Sequence, residues 1–143
     1  MASSGTRRVA DEVLELFKKF KLSNASNAAM LLKIDKDDET VVLDEHFADT
    51  TPEDLVEEMS ESSPRYIVYS FRMERDGGRI QYPLILIMFM PKSAPDRARM
   101  LYASMSNTVG EALDIAKTYE LRDLDDFDGE WLKAQVNSTS TRK

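Results

Sequence analysis

Apolar residues first recur at helical spacing from Val9. Val9, Val13, Leu16, Phe17 and Phe20 fall on one side of a helix turning about 100° per residue. Asp11 and Glu12 stand near its positive end, and Lys18, Lys19 and Lys21 near its negative end, as the helix macrodipole favours. Leu22 to Asn27 carries loop chemistry. Two short apolar runs, Ala28 to Ile34 and Thr40 to Leu43, then flank Asp35-Lys36-Asp37-Asp38, which predicts a hairpin. Thr51 precedes Pro52, Glu53 and Asp54, so it caps a short helix with proline in the first turn. Leu55, Val56 and Met59 form that helix's apolar side.

Period-two alternation takes over at Arg65. Ile67, Tyr69, Phe71 and Met73 alternate with Tyr66, Val68, Ser70 and Arg72, which predicts a strand from Arg65 to Glu74. Asp76-Gly77-Gly78 is a turn signal. The returning stretch, Arg79 to Met90, is nearly unbroken apolar from Leu84 to Phe89, so both of its faces should be covered. Pro83 has no N–H to give a ladder and marks a bulge or a locally unpaired position.

Ser93 to Tyr119 reads as one long helix. Ser93 caps it with Asp96 as acidic partner, and Pro95 sits in the first turn, where its missing N–H costs nothing. Leu101, Met105, Val109, Ala112, Leu113 and Ala116 form its core-facing stripe. The opposite side carries Met100 and Asn107, with Arg97 and Arg99 on its flanks and Ser104 beside them. Gly110 interrupts that exposed side and permits a bend. Glu120-Leu121-Arg122 is a short extra strand, and Gly129 to Val136 is a last helix anchored by Trp131 and Leu132. The fold class is therefore an α/β sandwich: a mixed, mostly antiparallel sheet with helices on both faces. One domain spans Val9 to Val136, between a flexible segment at Met1 to Arg8 and a disordered tail at Asn137 to Lys143.

Composition narrows what such a domain does. A chain of 143 residues fits a single core. The formal net charge of −7 argues against binding nucleic acid, which rests on neutralising phosphates, and against a membrane surface. With no cysteine there is no disulfide or thiolate metal site. No apolar run reaches the roughly 18 residues of a membrane span, and the N-terminus lacks a signal-peptide core, so a soluble intracellular protein is expected. Catalytic patterns are missing as well. There is no GxxxxGK[ST] loop. His46 is the sole histidine and lies in a polar stretch. Asp123, Asp125, Asp126 and Asp128 fail the spacing of a calcium loop and suit helix capping better. No nucleophile, base and orienting group come together, so neither an enzyme nor a cofactor or metal is expected.

Several stretches then carry a resemblance. APDRARMLYAS, Ala94 to Ser104, resembles the start of the long helix in the actin-depolymerising factor homology domain, the cofilin fold. KIDKD (Lys33 to Asp37) with VVLDE (Val41 to Glu45), PRYIVYSFR (Pro64 to Arg72), DGGRIQYPL (Asp76 to Leu84) and EWL (Glu130 to Leu132) are similar to the glia maturation factor group of that family. The resemblance implies a mixed sheet between two pairs of helices. It implies a non-enzymatic, monomeric protein of the cytoplasmic actin cytoskeleton. Its expected partner is the actin-related protein 2/3 complex, whose filament branches it would dissociate and whose branched nucleation it would inhibit. The alternative is a cofilin-like protein that binds actin monomers or filaments and severs filaments. The binding surface that the resemblance implies is Ser3, Ser4, Arg97, Arg99, Met100 and Ser104. Arg97 and Arg99 match basic positions typical of cofilins, where glia maturation factors more often carry uncharged residues, which implies some retained affinity for actin monomers. The Arg75 to Arg79 turn is shorter than the projecting hairpin with which cofilins grip filaments, which implies a weak or absent filament site.

Overall fold

A computed structural model describes residues 8–23 and 26–140. Its centre is β4 (Arg65–Ser70), which pairs antiparallel with β2 (Ala28–Asp35) on one side and β7 (Leu84–Phe89) on the other. β3 (Thr40–Phe47) closes the hairpin with β2, and β1 (Arg8–Val9) adds to β3 in parallel. β8 (Thr118–Leu121) adds to β7 in parallel, giving a six-stranded mixed sheet in the order β1-β3-β2-β4-β7-β8. A separate two-stranded ribbon joins β5 (Met73–Glu74) to β6 (Ile80–Gln81) around Asp76–Gly78, where Gly77 and Gly78 have φ of 82° and 81°. Both values lie in the left-handed region that glycine adopts without a Cβ penalty.

Side-chain alternation sorts the core into two layers. Tyr66, Val68, Met30, Leu32 and Leu86 face α1 (Asp11–Ser23), α3 (Asp96–Ser104) and α4 (Ser106–Leu113). Ile67, Tyr69, Ala29, Leu31 and Ile87 face Leu55 of α2 (Pro52–Glu57) and Leu132 of α5 (Gly129–Ser140). β4 is thus covered on both faces, as is β7. Two local forecasts are met closely. The Thr51 hydroxyl accepts the Asp54 amide at 3.1 Å, and β4 gives out where Pro83 faces it, with the Phe71 amide donating to the Pro83 carbonyl at 3.1 Å.

Five expectations need correction. Val9 is not helical: it pairs with Val41, the Ala10 amide donates to the Val41 carbonyl, and the helix begins at Asp11. A buried valine fits either element by spacing alone; the free edge of β3 decides it. The long helix is two. It breaks at Met105 (φ −103°, ψ 2°), and the chain leaves α4 through Asp114 in the left-handed region, so Ala116 lies beyond the helix and Ala112 is exposed. The break has a cause, since the Tyr66 hydroxyl donates to the Tyr102 carbonyl from the sheet below and takes it out of the helical ladder. Ser93 does not cap α3; its hydroxyl donates to the Glu61 carbonyl, and Pro95 holds the cap position without a side-chain bond. Gly110 is buried rather than on the outer side, with the Ile115 amide bound to its carbonyl at 2.9 Å.

The fifth correction concerns the tail. α5 continues past Val136 to Ser140, so Asn137 to Ser140 is helical, while residues 141–143 lie outside the described ones. The Asp128 carboxylate accepts the Trp131 amide at 2.9 Å and starts the helix, and Arg75 donates to the Asn137 side chain at 3.3 Å across its far part. At the other terminus Arg8 belongs to β1, and residues 1–7 lie outside the described ones. No helix among the described residues is long and apolar enough to cross a membrane.

Candidate functional site

The outer face of α3 is built from about two turns of helix. Tyr102 is buried against the sheet and fixes which way the helix faces: its hydroxyl accepts the Ile34 amide at 3.0 Å, while its carbonyl accepts the Tyr66 hydroxyl. Burial, and secondarily the neighbouring Tyr102, pushes the Tyr66 phenol well above its usual range, so it stays protonated and remains a donor. With Tyr102 turned inward, Met100 points to solvent and is 70% exposed, one of two large apolar side chains so exposed among the described residues.

The other expected site residues distribute unevenly around Met100. At about 100° per residue, Arg97 and Ser104 lie within about 60° of it on one side. Both are exposed, and Arg97 makes no ion pair with a described residue. The Ser104 hydroxyl donates back to the Leu101 carbonyl at 2.7 Å. Arg99 sits about 100° round the helix toward Tyr102. Its guanidinium is turned onto the carboxylate of Asp96 one turn earlier, and its Nε is buried with no hydrogen-bond partner among the described residues. The face is therefore Arg97–Met100–Ser104, with Arg99 folded back along its edge. Asp96 was read as the capping partner of Ser93 and instead holds Arg99, and Tyr102 escaped the sequence reading. The signal for Asp96 was its i,i+3 spacing to Arg99; for Tyr102 none existed, because it falls outside the apolar stripe drawn for one straight helix. Ser3 and Ser4 lie outside the described residues.

Other candidates fall into structural roles. Lys33, Asp44 and Arg65, one from each of three stretches that carry the resemblance, form a single ion-pair cluster, with Arg65 Nε 3.0 Å and Lys33 Nζ 3.7 Å from the two Asp44 oxygens. His46 is exposed, with its ring edge-on to Phe20 at 6.0 Å. Asp123 and Asp128 accept the amides of Asp125 and Trp131. Among the described residues, no group of histidines and carboxylates is arranged to hold a metal ion.

The comparisons with known proteins return the same fold and name its family. The family model described as cofilin/tropomyosin-type actin-binding protein matches residues 7–137. The chain belongs to this actin-binding family. Within it, the chain is 37% identical to the glia maturation factor of Drosophila melanogaster over 129 residues, covering 90% of this chain and 94% of that one. It is 36% identical to glia maturation factor beta of Mus musculus, covering 90% and 91%. The solution structure of glia maturation factor from Caenorhabditis elegans superposes with a TM-score of 0.79 at 32% identity, covering 94% of this chain and 99% of that one. Cofilin of Streptomyces griseoflavus has a TM-score of 0.76 at 17% identity and shares the fold. This cofilin-type domain is thus similar to glia maturation factors over nearly its whole length, and its α3 lies inside the matched region.

Proposed function

We propose that this cofilin-type chain is a non-enzymatic branch remodeller. It binds the actin-related protein 2/3 complex, dissociates filament branches and inhibits new branching in the cytoplasmic actin cytoskeleton, and it acts as a monomer. The observation that carries the reading is the α3 face: Met100 held out to solvent beside Arg97, which forms no ion pair with a described residue, in a chain whose relatives over 90% of its length are glia maturation factors. A lone apolar side chain ringed by a cation and a hydroxyl suits the centre of a protein contact, with the charge giving steering and register. Arg99, Ser104 and the N-terminal Ser3 and Ser4 complete the proposed surface. A phosphate on either serine would add about −1.5 to −2 charges and weaken docking on an acidic partner.

One feature favours a second activity. Arg97 and Arg99 stand at basic positions typical of cofilins, which supports residual binding to actin monomers. Filament severing is not expected, because the β5–β6 ribbon is only two residues per strand and turns within Asp76–Gly78. Pull-down with purified branching complex, in parallel with actin monomers, tests the assignment. The chain should retain the complex strongly and monomers weakly. Monomer capture with no retention of the complex would transfer the protein to the cofilin-like alternative.

A further inference from the structure

The second large apolar side chain exposed among the described residues is Leu22, at 80%, and the α3 reading makes no use of it. It lies at the C-terminal end of α1. Val13, Phe17 and Phe20 bury the inner side of that helix, and Leu22 points about 170° away from them. Lys18 and Lys19, one turn back, flank it on either side, and Lys21 precedes it. All three lysines are exposed and none forms an ion pair with a described residue. Lys21 rests over the Phe17 ring, its Nζ 5.5 Å from the centroid. Glu15 shares the outer face two turns back, and Asp11 and Glu12 stand at the far end of the helix. From β3, His46 comes against Phe20.

Dipole complementation accounts for cations at a helix C-terminus, but not for a leucine held out to water among them. Leu22 and its lysines form a basic, apolar-tipped surface on a chain with 26 acidic against 19 basic residues. That imbalance selects the occupant. A broad anionic membrane would meet the field of the whole acidic molecule. A short acidic segment, within the Debye length of about 8 Å, meets chiefly the three lysines. We infer that the end of α1 docks an acidic protein segment bearing an apolar side chain. Its carboxylates pair with Lys18, Lys19 and Lys21, and its apolar group covers Leu22.

This surface is distinct from the α3 face. α1 runs from the sheet end where Val9 pairs with Val41 toward the end where Ala28 pairs with Ser70, while α3 starts beyond Phe89, opposite Arg65, at the first of these ends. Leu22 and Met100 thus sit at opposite ends of one layer, and the inference stands whether or not the chain binds the branching complex.

The test titrates isotope-labelled full chain with three probes: a glutamate- and aspartate-rich peptide with one central leucine, the same peptide with serine at that position, and phosphatidylserine vesicles. The leucine peptide should shift amides centred on Lys18 to Leu22 and bind more tightly than the serine peptide. Affinity should fall at least about tenfold on raising salt from about 0.05 to about 0.5 M. A similar fall is expected for Leu22→Asp and for Lys18→Glu combined with Lys19→Glu. These variants change exposed side chains, so circular dichroism should match the parent. Equal binding by Leu22→Asp, shifts centred on α3, tighter binding to vesicles than to peptide, or no binding to either peptide would each overturn the inference.

Discussion

Tyr66→Phe removes a single hydroxyl from the middle of the molecule. The ring is fully buried, and its packing against Tyr102, with centroids 5.3 Å apart, survives the change. What is lost is the hydrogen bond to the Tyr102 carbonyl at the point where α3 gives way to α4. Stranding a buried acceptor costs about 1–3 kcal/mol. Here the carbonyl keeps a bond of 3.3 Å from the Met105 amide, which places the loss in the lower part of that range, about 1–2 kcal/mol. For a chain of this size that corresponds to a fall in Tm of about 2–8 °C. Urea unfolding separates the effect cleanly: the midpoint should drop while the slope, which follows the surface exposed on unfolding, stays the same. The α3 face lies directly upstream of the break, so amide shifts should extend from Tyr102 toward Met100. An unchanged midpoint would refute the assignment of the helix break to this bond.

Gly110→Ala should lower stability despite alanine's better helix propensity, because the new Cβ would lie 3.1 Å from the Ile115 carbonyl oxygen, a backbone atom fixed by its own chain; thermal denaturation reads the sign. Arg97→Ala should leave the urea midpoint within about 0.5 kcal/mol of the parent and weaken partner binding, with the loss shrinking as salt rises; binding isotherms at two ionic strengths check it. Alkaline pH should destabilise the fold. Burial first, with the nearby Tyr102, raises the Tyr66 phenol, and burial first, with the charges of Glu53 and Asp54, raises that of Tyr69. Both folded-state values exceed the unfolded one of 10.0, so this contribution is complete below that pH and is lost as pH climbs above it. The part of the tyrosinate absorbance that belongs to Tyr66 and Tyr69, read by difference from Tyr66→Phe and Tyr69→Phe variants, should then rise together with loss of structure rather than before it.

Where local chemistry decides an element, the sequence was readable. Thr51 with Pro52 caps α2, Gly77-Gly78 turns the ribbon, and Pro83 interrupts the ladder, because each acts through its own backbone. The central hairpins and the sandwich followed from alternation of period two. What escaped was decided by distant partners. Val9 joins a strand because β3 offers a free edge, and the long helix breaks because a tyrosine from β4 reaches its carbonyl; neither partner is visible in a local window. The site shows the same division. Met100 and Arg97 were legible as the side of α3 opposite its apolar stripe. The retreat of Arg99 onto Asp96 was not, since an arginine on an outer helix side has many rotamers and only the fold shows the one adopted.

Labelled branched filaments, assembled with purified branching complex and followed by microscopy as the chain is added, test the central claim most directly. The account predicts that branches detach while unbranched filaments stay whole, and that a folded variant combining Arg97→Ala with Met100→Asp leaves the branches in place. Severing of unbranched filaments at concentrations where branches persist, or undiminished debranching by the variant, would contradict it.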